Sequence, residues 1–426
     1  MDLEGKNRGW IGSISQVLFV ICMRSIMKKK QCKWMVFAGY LLGSLLCLSG
    51  CGADVEAVIP ESGFLYADSV SDREQMIGEP LEEATDILQE EKENITIQPS
   101  PEPTQEPEPE RISITISAAG DCSLGNHLKQ DYGSSFNQAY DTEGGAEYFL
   151  RNVKDIFAAD DMTIVNLEGV LTTSTAAAAG RTYNIKGDPS YAKILTQGSV
   201  EAVSMGNNHR LDYGLEGTAD TEAALKEENI LYAYDKNVAI YEVQGIRIGY
   251  VSVNEVAWGQ GCEELIAEGI EKLKAENVNL ILVACHWGVE KEYYPEAYQL
   301  KLGKKCIDMG ADLVIGHHPH VLQGIEEYKG KLIIHSLGNF CFGANRSPSD
   351  KDTMIFQQTF TFVEGVKQED MEARIIPCSI SSVGNRNNFQ PTPLEGEEAL
   401  RVINRINTFS ENLGISISGE GTIEKR

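Results

Sequence analysis

The feature that most constrains this chain is a recurring order of residues: short apolar runs, each ending in polar or charged side chains. Ile112, Ile114 and Ile116 alternate with Ser113, Thr115 and Ser117 and run into Gly120-Asp121, the period-two pattern of a strand. Thr163-Ile164-Val165 leads into Asn166-Leu167-Glu168, and Ala202-Val203-Ser204-Met205 into Asn207-Asn208-His209. Residues 280–284 lead into His286, and Leu313-Val314-Ile315 into Gly316-His317-His318-Pro319-His320. Helical patterns separate several of these runs, notably at 263–276 and 296–309. This is the rhythm of an α/β fold, in which functional residues collect at the carboxyl ends of strands. Residues 239–253 and 325–334 instead read as hairpins turning at Gln244-Gly245 and Lys329-Gly330, so the sheets are mixed. Strand-like runs at 354–363 and 373–379 and a helix at 397–407 complete a domain spanning 111–410, with 411–426 as a C-terminal tail.

The chain before residue 111 follows other rules. Lys28, Lys29, Lys30 and Lys33 precede an apolar run at 34–48, which is short for a membrane span and suits a signal-peptide core. The run ends in Leu48-Ser49-Gly50-Cys51, resembling the bacterial lipobox, in which the cysteine is lipidated after cleavage. Residues 1–50 are thus expected to be a signal peptide, with Met27 an alternative start, and Cys51 the site of lipid attachment. Between 52 and 110 stand 17 Asp/Glu against two cations, Arg73 and Lys92, with seven of the 14 prolines. This is the composition of an extended, self-repelling linker. The expected location is the outer face of the bacterial cytoplasmic membrane, held there by lipid. The net charge of -26 argues against nucleic acid as a partner.

Histidine is scarce, at seven in 426 residues, and five of these stand at strand ends: His209, His286, His317, His318 and His320. His318 and His320, two apart on a segment read as extended, would point the same way and face one ion together with His286. Asp121 and Glu168 add carboxylates. Imidazole, carboxylate and amide donors suit Zn, Mn or Fe better than thiolate-selective ions, and a metal there would activate water and polarise a phosphoryl or carbonyl oxygen. Asn208 offers an amide oxygen, leaving His209 as a general acid or as a donor to the developing charge.

These residues, with Asp212-Tyr213-Gly214, His286-Trp287-Gly288 and Ser336-Leu337-Gly338-Asn339-Phe340, closely resemble the CapA family of poly-γ-glutamate capsule biosynthesis, a branch similar to the calcineurin-like metallophosphoesterases. The resemblance spans about 112–343. It implies a four-layer α/β/β/α sandwich with two mixed β-sheets. It also implies Asp121, Glu168, Asn208, His286, His318 and His320 as metal ligands and His209 as the catalytic histidine, with Asn207, Asp212 and His317 behind them. Two positions depart from the superfamily pattern, Ser123 where a histidine is usual and Glu168 where an aspartate is usual, so one or two divalent ions are implied.

Six cysteines beyond Cys51 (Cys122, Cys262, Cys285, Cys306, Cys341 and Cys378) show no CxxC spacing and read as buried thiols. His127 and His335 fall outside the motifs and read as structural. Trp287 and Tyr293 either line a cleft or pack internally. Two functions follow: a surface-tethered metal-dependent hydrolase acting on a phosphoester or anionic polymer, or a non-catalytic accessory of a membrane complex that makes or exports such a polymer. A solute-binding lipoprotein shares the anchor and linker but leaves the histidine cluster unexplained.

Overall fold

The computed structural model describes residues 109–426. The expected signal peptide, Cys51 and nearly all of the expected linker lie outside the described residues. The principal strands are β1 (Arg111–Ser123), β2 (Met162–Leu167), β3 (Ala202–Ser204), β4 (Leu231–Ala233), β5 (Ala239–Val243), β6 (Ile246–Asn254), β7 (Leu280–His286), β8 (Leu313–His317), β9 (Ile325–Tyr328), β10 (Lys331–Ile334), β11 (Asn339–Phe342), β12 (Asp352–Val363), β13 (Glu372–Ser379), β14 (Ile415–Ile417) and β15 (Ile423–Lys425). The principal helices are α1 (Phe136–Thr142), α2 (Gly214–Glu227), α3 (Cys262–Ala275), α4 (Ala297–Met309) and α5 (Gly396–Phe409).

Two sheets form. The larger runs β13-β12-β1-β2-β3-β4, with β11 paired to β1. Its β1-β2-β3-β4 half is parallel and its β1-β12-β13 half antiparallel. The second runs β9-β10-β8-β7-β6-β5, parallel in the middle with an antiparallel hairpin at each edge. Both are mixed, as the two hairpin patterns predict.

Strand periodicity sorts the side chains into layers, because successive residues point to opposite faces. On β6, Ile248 and Tyr250 enter the core between the sheets, while Val251 and Val253 enter a second core against α3 and α4. On the larger sheet Ile114, Ile116 and Ile164 face the inter-sheet core, while Val165 and Val203 face outward against α1 and α2. The order helix, sheet, sheet, helix is the four-layer sandwich expected from the sequence.

One segment differs from expectation, and one helix was not read from the sequence. Residues 411–426, read as a tail, form the β14–β15 hairpin, whose Ile415, Ile417 and Ile423 are buried in the inter-sheet core beside Val402, Ile403 and Ile406 of α5. The helix α2 has no strong apolar stripe, because it packs through Gly217, Thr218, Thr221 and Ala224 as well as Leu225. Small residues let it approach closely and mask its periodicity. Among the described residues no helix is long and apolar enough to cross a membrane, and the six cysteines are buried free thiols.

Candidate metal centre

The parallel strands deliver their carboxyl ends to one place. Asp121 lies near the end of β1, in register with Asn166 of β2 and Asn339 of β11. Irregular pairing on either side of Asp121 bends the strand there, a common way of re-aiming a side chain. Glu168 follows β2, Asn207 to His209 follow β3, and His286 ends β7 opposite His317, which ends β8.

His318 and His320 do not lie on an extended segment. Both have left-handed backbones, at φ 98° and 58°, so the chain turns back after β8 and the two rings converge through the turn, 5.7 Å apart. Non-glycine residues adopt this region at a cost, and such strain collects at functional sites.

The side chains interlock. Asp121 is fully buried; its Oδ1 accepts from Asn166 Nδ2 at 2.8 Å and its Oδ2 lies 3.0 Å from His320 Nδ1. His317 Nδ1 stands 3.4 Å from Asp121 Oδ1. Asn207 donates from Nδ2 to Asn166 Oδ1 at 3.0 Å and to the Leu167 carbonyl at 2.8 Å. Asn208 Oδ1 lies 3.0 Å from His286 Nε2. His209 Nδ1 is 2.7 Å from Asp212 Oδ2, and its Nε2 points inward, 3.8 Å from Glu168 Oε1.

Glu168 stands apart from the other carboxylates here, because both its oxygens are buried without a hydrogen-bond partner. Nε2 atoms of His209, His286 and His320 surround its Oε1 at 3.7–3.9 Å, one shell beyond direct contact. An unpaired buried carboxylate costs several kcal/mol, which a divalent cation would remove. Glu168, His286 and His318 offer ligand atoms that all lie within 4.8 Å of one another, as do Asp121, Glu168 and His320. The donor set therefore fits a divalent ion such as Zn, Mn or Fe.

Electrostatics agree with that fit. Burial pushes the Glu168 carboxyl up to about 7, with the Asp121 charge adding and His320 opposing. Burial acts the same way on Asp121, yet the His317 and His320 rings beside it hold it well below the usual carboxylate range. Burial disfavours a charged His320, but the Glu168 and Asp121 carboxylates outweigh it and raise the ring to about 10. Burial and the His320 charge push His318 down to about 4, and burial holds His286 well below the ordinary imidazole value.

The structure thus brings together Asp121, Glu168, Asn208, His209, His286, His318 and His320, with Asn207, Asp212 and His317 directly behind them. Three further residues belong to the place. Asn339, within the Ser336–Phe340 motif, holds His320 from both sides: its Oδ1 lies 3.1 Å from His320 Nδ1, and its Nδ2 donates to the His320 carbonyl at 3.2 Å. Arg181 donates to Asp212 Oδ1 at 2.9 Å and to the Asn208 carbonyl. Glu290, four residues beyond His286, has a ligand atom near those of His318 and His320. It lies two residues beyond the His286-Trp287-Gly288 motif. A groove of about 430 Å³ opens beside His209, His320, Glu290 and Lys291.

Other expectations are corrected or placed. Trp287 does not line the groove; it is fully buried, and its Nε1 donates to the His335 carbonyl at 2.8 Å. Tyr293 packs against Phe409 and Arg405. His335 is buried with its Nε2 3.2 Å from Glu326 Oε2, and His127 Nδ1 accepts from the Lys129 amide at 2.8 Å. Ser123 is buried, and its hydroxyl accepts from the Ala344 amide at 2.9 Å, so it braces a loop.

A four-layer sandwich with carboxylate, amide and imidazole donors gathered at its strand ends defines an α/β protein built around a candidate metal centre. Residues 115–344 match the profile of the family described as bacterial capsule synthesis protein PGA_cap, and the chain belongs to that family. It is similar to the capsule biosynthesis protein CapA of Bacillus anthracis, at 28% identity over 269 residues covering 57% of this chain and 63% of that protein. It is also similar to the PGA biosynthesis protein CapA of Bacillus subtilis, at 27% identity over 251 residues covering 54% and 63%. A probable polyglutamine synthesis accessory protein of Mycobacterium tuberculosis is 25% identical over 210 residues, covering 42% of this chain and 55% of that one. The chain spans less than two thirds of the length of these relatives. Among solved structures, the NAD nucleotidase of Haemophilus influenzae aligns at 13% identity over 70% of this chain and 56% of that one, with a TM-score of 0.36.

Proposed function

We propose that this protein is a surface-tethered, metal-dependent hydrolase of the metallophosphoesterase type, serving the biosynthesis or export of an anionic envelope polymer of the poly-γ-glutamate kind. The observation that carries the hydrolase reading is Glu168, a buried carboxylate with both oxygens unpaired inside a ring of imidazoles. The polymer assignment is supported by family membership and by the capsule and PGA biosynthesis names of the Bacillus relatives.

In this reading Asp121, Glu168, Asn208, His286, His318 and His320 hold the ion. When bound, a divalent cation supplies Lewis-acid polarisation and lowers the pKa of water. The rest of the chemistry belongs to the chain. Asp212 takes the Nδ1 proton of His209 in a hydrogen bond and orients the ring, so that Nε2 faces the centre and carries the proton given to a leaving group. Burial disfavours the His209 cation, but the Asp212 hydrogen bond and the Glu168 charge raise it above the ordinary imidazole value, which suits an acid. The groove beside His209 admits substrate, with Lys291 at its wall.

The deciding experiment is metal analysis of the full chain beside His318→Ala, with turnover of phosphoester and γ-glutamyl substrates. Bound divalent metal in the wild type, lost in His318→Ala, is expected. A metal-free wild type that turns over no substrate in the panel sinks the hydrolase reading. The accessory name of the mycobacterial relative favours a second reading, a non-catalytic subunit of a membrane synthase complex; co-purification with a synthase, unchanged by His318→Ala, would support it. Lipid attachment at Cys51 and location on the outer face of the cytoplasmic membrane belong to the same proposal, checked by whether Cys51→Ala releases the protein from the membrane fraction.

A further inference from the structure

We infer that a pocket on the far side of the short strand Ile185–Gly187 from His209 is a binding subsite for an amide-linked, carboxylate-bearing chain, taking a unit next to the one in the groove. The inference rests on the polymer reading above for its class of ligand, and it names residues which that reading does not use.

The first observation is a wall of polar groups with nothing to bind. The pocket measures about 400 Å³, and Gln130, Asn137, Lys186 and Tyr213 line it. Gln130 Nε2, Asn137 Oδ1 and the Tyr213 hydroxyl are all buried without a hydrogen-bond partner, and Tyr213 is only 2% exposed. A buried polar group left unpaired costs about 1–3 kcal/mol, and folded proteins keep few of them. Three in one wall mark a surface that a ligand completes.

The second observation is the chemistry of that wall. Gln130 Nε2 donates, Asn137 Oδ1 accepts, and the phenol of Tyr213 does either. An amide link carries both a donor and an acceptor, so it answers all of them, whereas a phosphodiester carries acceptors alone and leaves Asn137 Oδ1 unpaired. Lys186 supplies positive charge. Its Nζ lies 5.0 Å from the centre of the Tyr213 ring and gives a hydrogen bond to the Ser174 carbonyl, with further N–H donors left for a carboxylate. Asp188 also lines the pocket, but its Oδ1 is engaged by the Ser190 amide at 2.9 Å and hydroxyl at 2.7 Å. Leu128 and Tyr132, 58% and 54% exposed, add apolar surface for the methylenes of the chain.

The third observation is continuity with the groove. Ile185 lines the groove beside His209 while Lys186 lines the pocket, because successive residues of a strand face opposite sides. A single strand divides the two. On the paired strand Asn126–His127, the His127 ring lines the pocket and meets Tyr183 of the groove edge-on, with centroids 4.7 Å apart. Tyr213 directly follows Asp212, the residue that holds His209. A chain laid over the His127–Tyr183 ridge thus has one unit beside His209 and another in the pocket.

The test is calorimetric binding of a γ-glutamyl tripeptide to the detergent-solubilised full chain with chelator present, so that no ion in the centre contributes. Saturable binding is expected. Tyr213→Phe should weaken it by about tenfold with melting unchanged or raised, since the hydroxyl makes no bond in the free chain. Lys186→Met should weaken it by about tenfold or more, and Lys186→Arg should recover part of the loss. A glycerol-phosphate trimer should bind about tenfold more weakly than the tripeptide. Absence of tripeptide binding overturns the subsite, as does wild-type affinity in either Tyr213→Phe or Lys186→Met. A glycerol-phosphate trimer that binds as tightly as the tripeptide overturns the amide-linked ligand. The hydrolase reading falls on other measurements, metal content and turnover: a chain that binds the tripeptide and holds no metal keeps the pocket and loses the hydrolase role.

Discussion

A single buried carboxylate, Asp212, sets the ring of His209 and the backbone around it. Its Oδ2 meets His209 Nδ1 and accepts the Ile185 amide, both at 2.7 Å, while its Oδ1 takes Arg181 at 2.9 Å. His209→Ala is expected to lower turnover by about 10²–10⁴-fold and to leave bound metal in place, as measured by kinetics beside elemental analysis. Asp212→Asn should lower turnover as well and, by leaving buried donors poorly paired, lower stability by about 1–3 kcal/mol in denaturant titration. The residues around these two were legible in the sequence where each closes an apolar run: Asp121, Glu168, Asn208, His286. Glu290 was not, because it is one of 63 acidic residues and stands in a turn, where a solvated carboxylate is the ordinary finding. Arg181 sits in a loop with no period, and only the folded chain puts it beside Asp212.

At the scale of elements, the close approach of β1 to the Ser336–Phe340 segment holds the centre in place. A Cβ at Gly120 would lie 2.0 Å from the Gly338 carbonyl oxygen, and the next residue, Asp121, donates its amide to that same oxygen at 2.9 Å. Gly120→Ala is therefore expected to cost about 3 kcal/mol or more and to weaken metal binding through Asp121, visible as a lowered melting temperature and a weaker Mn²⁺ titration. A second contact pins α5 to β12: Arg401 donates to both oxygens of Asp352 at 2.7 and 2.8 Å, and Arg405 joins it. Burial raises the Asp352 carboxyl, but these two guanidinium groups prevail and hold it below the usual carboxylate value. Its contribution is thus present above the ordinary carboxylate pKa and lost as pH falls through the depressed one. With both arginines partly exposed, that contribution is about 1 kcal/mol. Asp352→Asn should melt below the wild type at pH 7 and converge with it in acid; a constant gap at every pH would refute this account. Sequence periodicity located most of these elements, since alternation on β1, β6 and β12 is strong. It misjudged the His318–His320 turn, because an extended pair and a left-handed turn both bring the rings together and only backbone angles separate them.

For the molecule as a whole, the last sixteen residues belong to the core. Ile415, Ile417 and Ile423 close one end of the space between the sheets. Burying such side chains contributes about 1.5–3 kcal/mol each, against a total stability of about 5–15 kcal/mol for a typical domain. Deleting residues 411–426 should leave a chain that is insoluble or melts far below the full-length protein, and a truncated form with an unchanged melting curve would show the hairpin to be dispensable. The sequence did not signal this, because strands of three residues carry too little pattern to be told from an irregular end.

The Asp121 carboxylate receives the His318 amide across 197 positions of chain, at 3.4 Å. Contacts of that span are the slow ones in folding, since the loop they close must lose its freedom before the contact returns anything. The donor cluster therefore comes into being only when the two sheets have met, and an incompletely folded chain has scattered donors and no centre. Selection among divalent ions in living cells follows availability as much as donor type. Any cation this protein takes up is accordingly chosen by the compartment in which the second sheet docks onto the first.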